Sequence, residues 1–192
     1  MELNKDLWNK RYENQDTGWD LGEISPPIKN YINQLKNKDL NILIPGCGNA
    51  YEAEYLYILG FKNVYVIDWA KKALHNFGKR IQNFPEDHLI CQDFFKHKGQ
   101  YDLIIEQTFF CAILPSLREN YVAKMEKLLT KNGKLVGLLF NENLYSNRPP
   151  FGGNKREYQE LFSKHFNHVE MEETKDSITS RKGRELFITI KK

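Results

Sequence analysis

The chain has 192 residues, of which 41% are hydrophobic, 13% aromatic and 28% charged, a composition typical of one ordinary globular domain. Its formal net charge of +3 is too small to indicate nucleic-acid binding by itself. No apolar run approaches the roughly 18 residues of a membrane span, and the first residues lack the apolar core of a signal peptide. Three widely spaced cysteines without a C-x-x-C pair argue against disulfides and a metal site, and favour a reducing cytoplasm.

The first 24 residues are aromatic and polar without a clear period, and they include Trp8, Tyr12 and Trp19. Such a segment cannot form its own core, so its rings must pack on the domain body or on a ligand. A helix is predicted next, with Ser25 as the N-cap before two prolines and an apolar stripe from Ile28 to Leu35.

The stretch around two glycines organises the rest of the chain. A buried strand (40–44) leads into Gly46 and Gly48, a helix (51–59) follows, and a second strand (64–67) ends at Asp68, 20 residues after Gly48. This unit is typical of nucleotide-type ligands, in which an acid binds the ribose hydroxyls. Tyr51 replaces the third glycine of a dinucleotide motif, and Glu52 beside the helix N-terminus disfavours pyrophosphate. A cationic ligand without phosphate, such as S-adenosylmethionine, would tolerate Glu52; a tight turn in some other α/β protein is the alternative.

Alternating helices and strands continue to the end of the chain. Helices are predicted at 70–81, at 121–129 and from 154, and strands at 88–91, 101–105, 134–140, 168–172 and 185–190. The pattern predicts an α/β fold with a seven-stranded, mostly parallel sheet covered by helices on both faces. At the carboxyl ends of its strands Gly46, Asp68, Asp93 and Gln107 should converge.

Several motifs then resemble a known family. The Pro-Gly-Cys-Gly turn, the strand ending at Asp68, Gln92-Asp93-Phe94 and the strand 101–105 are similar to successive motifs of Rossmann-like class I S-adenosylmethionine-dependent methyltransferases. Trp8 with Trp19-Asp20, the Phe109-Phe110-Cys111-Ala112-Ile113 stretch and the 179–183 loop resemble the thiopurine S-methyltransferase superfamily, especially its thiol/halide branch. These features span almost the whole chain.

The resemblance implies roles for the matching residues. The aromatic residues of segment 1–24 would cover the methionine end of the cofactor, Asp68 would hold the ribose, and Asp93 with Phe94 would bracket the adenine. With the residues beside them, the cofactor-binding set is Trp8, Tyr12, Trp19, Gly46, Gly48, Glu52, Asp68, Trp69, Asp93, Phe94, Gln107 and Arg118. The substrate-pocket candidates are Trp19, Phe109, Phe110, Phe151 and Arg181.

The implied activity is methyl transfer to a small soft nucleophile: a thiol, thiopurine, hydrosulfide or halide. No catalytic residue is assigned, and the order of residues 149–153 departs from the halide branch, which leaves halides open. An O- or N-methyltransferase would need a base, for which Glu106 and Tyr145 are candidates. A non-catalytic binder of the cofactor and a nicotinamide dehydrogenase are further alternatives. We expect a single domain (1–192), a monomer and no membrane partner. A nucleic-acid substrate is also not expected, since the Asn147-Arg148-Pro149-Pro150-Phe151 segment follows the wrong strand for the signature of amino-methyltransferases.

Overall fold

The computed structural model describes residues 3–192 and contains one seven-stranded sheet in the order β3-β2-β1-β4-β5-β7-β6. The strands are β1 Ile42–Pro45, β2 Val64–Asp68, β3 Leu89–Cys91, β4 Tyr101–Gln107, β5 Leu129–Phe140, β6 His168–Glu173 and β7 Glu185–Lys191. The helices are α1 Lys5–Glu13, α2 Pro26–Asn33, α3 Tyr51–Ile58, α4 Lys71–Arg80, α5 Arg118–Leu128 and α6 Lys155–Phe162. Strand β7 runs antiparallel to β5 and β6, while β1 to β5 pair in parallel, which confirms the predicted sheet.

The central strand explains why the sheet has helices on both faces. All four residues of β1 are buried, and successive side chains of a strand point to opposite faces. Ile42 and Ile44 join the apolar cluster that includes Ile28, Leu56 and Phe77, from α2, α3 and α4. Leu43 joins the opposite cluster with residues from α5 and α6. A continuous apolar run is therefore what a doubly covered parallel strand requires.

The strand order creates a cleft beside β1. The chain leaves β1 for β2 on one side and later enters β4 on the other, so the connections diverge at the carboxyl end of β1. Open α/β sheets bind ligands at such a switch point. Among residues 3–192, no helix has the length and apolar character needed to cross a bilayer.

The N-terminal segment differs from the irregular structure that the sequence predicted. Helix α1 forms nine residues of it, Lys5–Glu13, and the Asn4 side chain caps the helix by accepting a hydrogen bond from the backbone N–H of Leu7 at 3.0 Å. Only Tyr12 of this helix is buried, with Trp8 one turn earlier packed beside it. Two aromatic residues four positions apart are too short a stripe to stand out as a helical period.

One local prediction holds in position only, and another was wrong. Ser25 is the N-cap residue of α2, as predicted, but its hydroxyl does not bond to the helix; it donates instead to Oε1 of Gln107 at 3.3 Å. Leu129 does not extend the helical stripe of α5, since it begins β5 opposite Tyr101, and the register then shifts before Leu103. In both cases a contact with a distant strand overrides the local pattern.

Candidate active site

A cavity of about 840 Å³ lies at the carboxyl ends of β1, β2 and β4. Helix α1 and the residues after it form its roof, and the loops after β5 and before β7 close its far end. Most of the predicted site residues line this cavity: Trp8, Tyr12, Trp19, Gly46, Gly48, Glu52, Asp68, Trp69, Asp93, Phe94, Gln107, Phe109 and Arg181. The topology therefore brings residues from distant parts of the chain around one space.

The glycine turn after β1 has no room for side chains. Gly46 has a φ of +56°, and a Cβ there would lie 2.8 Å from the Cβ of Phe109. Gly48 has a φ of +53°, and its Cβ would lie 2.6 Å from the Tyr12 hydroxyl. Both the left-handed backbone and the close neighbours require glycine at these positions.

Asp68 is held rigidly at the end of β2. Its Oδ2 accepts from the backbone N–H of Gly48 at 2.9 Å, and its Oδ1 accepts from that of Ala70 at 2.7 Å. Burial raises the pKa of this carboxyl, whereas the backbone donors oppose that rise. Each carboxylate oxygen can accept a second hydrogen bond, so Asp68 retains acceptors for ligand hydroxyls.

The roof of the cavity is an aromatic cluster. Trp19 meets Trp8 and Tyr12 edge to face, with ring centroids 5.5 Å and 5.6 Å apart, and its Nε1–H donates to the Tyr12 hydroxyl at 3.3 Å. The guanidinium of Arg11 lies 4.4 Å from the centroid of the Trp19 ring. One ring of the roof therefore already has a cationic partner from its own segment.

Side chains of the domain body fasten this roof. The Asp20 carboxylate accepts from the side-chain amide of Asn49 and from the Tyr51 hydroxyl. The buried guanidinium of Arg181 donates to the carbonyl of Trp19 at 2.9 Å and pairs with Glu185 at 3.3 Å. Contacts with both the glycine turn and the loop before β7 thus position the segment after α1.

Residues after β3 form another wall. Asp93 caps the short turn that follows it by accepting from the backbone N–H of Phe95 at 2.9 Å. The buried ring of Phe94 packs edge to face on Phe109, with centroids 5.2 Å apart. Gln92 also lines the cavity, and its Oε1 lies 3.3 Å from Nδ1 of the buried His97. Gln92 was not among the predicted site residues, although its place beside Asp93 at a strand end was a usable signal.

Glu52 supplies a buried acid on the glycine-turn side. Its exposed fraction is 6%, and burial raises the pKa of its carboxyl to about 7. The nearby Asp20 carboxylate raises this pKa further, whereas the Arg181 guanidinium lowers it. A buried carboxylate that faces a cavity favours a cationic group on the ligand.

Three predicted site residues lie behind the cavity wall and do not line the cavity. Phe110 packs in the core against Tyr121 and Tyr158, with centroids 5.1 Å and 5.5 Å away. Arg118 stacks on Phe110 at 4.6 Å and donates to the carbonyls of Phe151 and Gly152 at 3.2 Å and 2.9 Å. The buried Phe151 donates its N–H to the carbonyl of Cys111 at 2.7 Å. Adjacent Phe109 and Phe110 point in opposite directions, so that only Phe109 lines the cavity. The three residues behind the wall support its loops.

The far end of the cavity is largely apolar, and most of its residues were not predicted as site residues. The sequence did contain a signal for them, because several belong to the Phe-Phe-Cys-Ala-Ile stretch, which was used only as evidence for the family. Tyr145 lines the cavity as well, with an exposed fraction of 46%, and the guanidinium of Arg148 lies 3.4 Å from its ring centroid. The apolar lining residues are Cys111, Ala112, Ile113, Leu114, Leu117, Phe140 and Leu144.

These residues fit S-adenosylmethionine. The glycine turn gives the close backbone approach that a nucleoside needs, Asp68 presents acceptors for ribose hydroxyls, and the Glu52 carboxyl suits a cationic group. The cavity volume of about 840 Å³ also falls in the range of small-molecule and cofactor sites.

Comparison with known sequences shows one family. The sequence model of the family described as "Thiopurine S-methyltransferase (TPMT)" matches residues 3–190. The chain is 30% identical over 184 residues to a probable thiol methyltransferase 2 of Arabidopsis thaliana, covering 93% of this chain and 81% of the relative. It is 26% identical over 171 residues to a thiopurine S-methyltransferase of Pseudomonas fluorescens, covering 78% and 76% of the two chains.

Solved structures show the same fold at low identity. A Burkholderia thailandensis 1,6-didemethyltoxoflavin-N1-methyltransferase with bound S-adenosylhomocysteine superposes with a TM-score of 0.75 at 15% identity, covering 98% of this chain and 86% of that one. The magnesium protoporphyrin IX methyltransferase of Synechocystis, also with bound S-adenosylhomocysteine, gives 0.72 at 13% identity, covering 98% and 99%. The fold is therefore that of the class I methyltransferases. Because the family model spans nearly the whole chain, this protein belongs to the thiopurine S-methyltransferase family and is an S-adenosylmethionine-dependent S-methyltransferase.

Proposed function

We propose that this enzyme methylates the sulfur of a small thiol or a comparably soft nucleophile, such as a thiopurine or hydrosulfide. Its relatives include proteins named for thiols, thiocyanate and thiopurines. The observation that carries the proposal is the position of Glu106, near the end of β4, because its carboxyl is fully buried outside the lining of the cavity and accepts hydrogen bonds from Tyr121, Phe109 and Phe110. An acceptor that needs its proton removed gains nothing from such a base.

A sulfur acceptor requires less chemistry from the protein. Thiols of ordinary pKa, about 8.5, are partly ionised near neutral pH, so the nucleophile forms without a dedicated base. The apolar residues at the far end of the cavity can hold the body of the acceptor and exclude water. Charges disappear as the thiolate attacks a sulfonium methyl group, and a dry apolar wall favours that change.

The nucleoside end is assigned to the residues around the glycine turn. Bound S-adenosylmethionine supplies a methyl group on a positively charged sulfur. In the proposed arrangement Asp68 accepts from the ribose hydroxyls, and Asp93, Phe94 and Gln92 surround the adenine. Glu52 would face the cationic part of the cofactor. The roof residues Trp8, Tyr12 and Trp19 would cover it, so that orientation supplies most of the rate gain.

An O- or N-acceptor remains the second candidate because of Tyr145. This side chain lines the cavity beneath the Arg148 guanidinium, and in its phenolate form it would be the base that removes the proton of such an acceptor. Glu106, the other base candidate, is fully buried and does not line the cavity. The residue that separates the two functions is therefore Tyr145.

A labelled-methyl transfer assay tests the proposal. The panel pairs thiophenol with phenol and aniline, and adds hydrosulfide and iodide, the latter because the sequence left halides open. We expect transfer to the thiols with a preference of about a hundredfold or more over phenol, which reflects the missing base. Tyr145→Phe should leave thiol methylation within about twofold of the wild type. Preferential methylation of phenol or aniline that Tyr145→Phe abolishes would overturn the thiol assignment.

A further inference from the structure

Glu106 is a buried acid that the proposed reaction does not use directly. Its exposed fraction is 0%, and its Oε1 accepts from the backbone N–H groups of Phe109 and Phe110, both at 2.8 Å. Its Oε2 accepts from the Tyr121 hydroxyl at 2.5 Å. Burial raises the pKa of this carboxyl to about 7 against the effect of these donors. Burying a carboxyl costs free energy, and these three hydrogen bonds offset part of that cost.

The hydrogen bonds of Glu106 span a strained turn. Thr108, between two residues that line the cavity, has a φ of +59°. Left-handed backbone is rare for a β-branched residue, and such strain persists only where the surroundings enforce it. The two backbone N–H groups that donate to Glu106 belong to Phe109 and Phe110, which follow Thr108 directly. The Ala112 N–H continues the turn by donating to the Phe109 carbonyl at 2.9 Å.

The turn determines where Phe109 lies. Its ring is so close to Gly46 that a side chain at that glycine would collide with it, and it also packs against Phe94. Tyr121 contacts the same group of rings, with centroids 6.0 Å from Phe109 and 5.8 Å from Phe94. Glu106 and Tyr121 thus hold Phe109 from the backbone side and from the ring side at once.

We propose that Glu106 and Tyr121 are positioning residues for methyl transfer: they hold the Thr108 turn so that Phe109 presses against the glycine turn and forms the wall between nucleoside and acceptor. The proposal rests on the proposed function, because it assumes that reacting groups meet beside Phe109. Neither residue touches them, and both act through Phe109. Asp102, at the opposite end of β4, shows the contrasting case, since its carboxylate accepts from the Asn41 N–H at 3.0 Å and from the Thr130 hydroxyl at 3.2 Å far from the cavity.

A double-mutant cycle with Phe109 tests the proposal. Glu106→Ala should lower kcat/KM for thiophenol by about tenfold or more in the wild-type background and by less than about twofold in a Phe109→Ala background, because the effect passes through that ring. Tyr121→Phe removes one oxygen and is the milder variant, with the same expected dependence on Phe109. A second double-mutant cycle uses the Kd of S-adenosylhomocysteine, measured by calorimetric titration, and therefore does not depend on turnover.

Asp102→Ala is the matched structural control. It removes a carboxylate with a backbone and a hydroxyl donor from the same strand, so it should lower the melting temperature while kcat/KM changes by less than about twofold. Assays run well below every melting temperature keep unfolding out of the comparison. Equal losses in both backgrounds for Glu106→Ala and Tyr121→Phe would refute the positioning role. A wild-type enzyme that methylates no thiol would instead refute the proposed function.

Discussion

The Asp68 carboxylate combines a structural and a ligand-binding position in one residue. It connects the end of β2 to the glycine turn through Gly48 and to the start of α4 through Ala70. Acids at strand ends are predictable from sequence, because an apolar run followed by a carboxylate is visible without any tertiary information. Its two backbone donors are visible only in the fold.

Asp68→Ala should weaken binding of S-adenosylhomocysteine strongly while the protein stays folded. Each hydrogen bond to a charged group contributes about 1.5–3 kcal/mol, so the loss of ribose contacts should raise Kd by about tenfold to a hundredfold or more. Isothermal titration calorimetry measures Kd, and far-UV circular dichroism checks the fold. Asp102→Ala is again the control. An unchanged affinity would show that the ribose is not bound by Asp68.

The raised pKa of Glu52 predicts that the stability of the fold depends on pH. Its pKa is about 7 in the folded protein and has an ordinary value of 4.5, so the folded state holds this proton more tightly than the unfolded state. Its contribution to stability is therefore complete below pH 4.5 and is lost as the pH rises through 7. Urea denaturation measures the free energy of unfolding. Between pH 5 and pH 8 that of Glu52→Gln should rise by about 2 kcal/mol relative to that of the wild type.

The control for this measurement is Glu172→Gln, which removes one negative charge from an exposed position on β6. A Glu52→Gln difference that is equal at pH 5 and pH 8 would contradict the raised pKa. Glu106 also has a raised pKa of about 7, but it is common to both proteins in each comparison and cancels from the difference.

At the scale of elements, the roof over the cavity is the part whose structure could not be predicted from the sequence. Helix α1 buries only Tyr12 fully, and its small apolar cluster with Ala70 and Ala73 is separate from the two main cores. Contacts after the helix, from Asp20 and to the carbonyl of Trp19, fasten it to the body. An element with so little buried surface should open more readily than the sheet.

Asp20→Ala should therefore loosen the roof without loosening the sheet. Hydrogen–deuterium exchange over residues 5–19 should accelerate by about tenfold, since Asn49 and Tyr51 lose their acceptor, while β1 and β4 keep their protection. The matched control is Asp16→Ala, which breaks an ion pair with Arg11 inside the same segment. Similar acceleration in both variants would show that Asp20 does not fasten the roof.

At the scale of the whole molecule, the doubly covered sheet is the best-predicted feature. The apolar runs of β1, β2 and β4 are buried on both faces, and a strand of that kind is readable from hydrophobic runs alone. The boundaries were less accurate: β5 begins at Leu129 because Tyr101 pairs with it across the sheet. The single-domain organisation and the monomeric state stay predictions.

The sequence by itself determined the order of the elements that follow the N-terminal segment, the glycine turn, Asp68 and the family, because these depend on residue types at short, regular spacings. Only the tertiary structure decided which side of the wall each aromatic residue occupies. Phe109 faces the cavity while its neighbour Phe110 joins the core with Arg118 and Phe151. The strained turn at Thr108, held by Glu106 from within the fold, sets that division. Local spacing cannot reveal it, since the hydrogen bonds and packing that enforce the turn involve Tyr121, on a separate element.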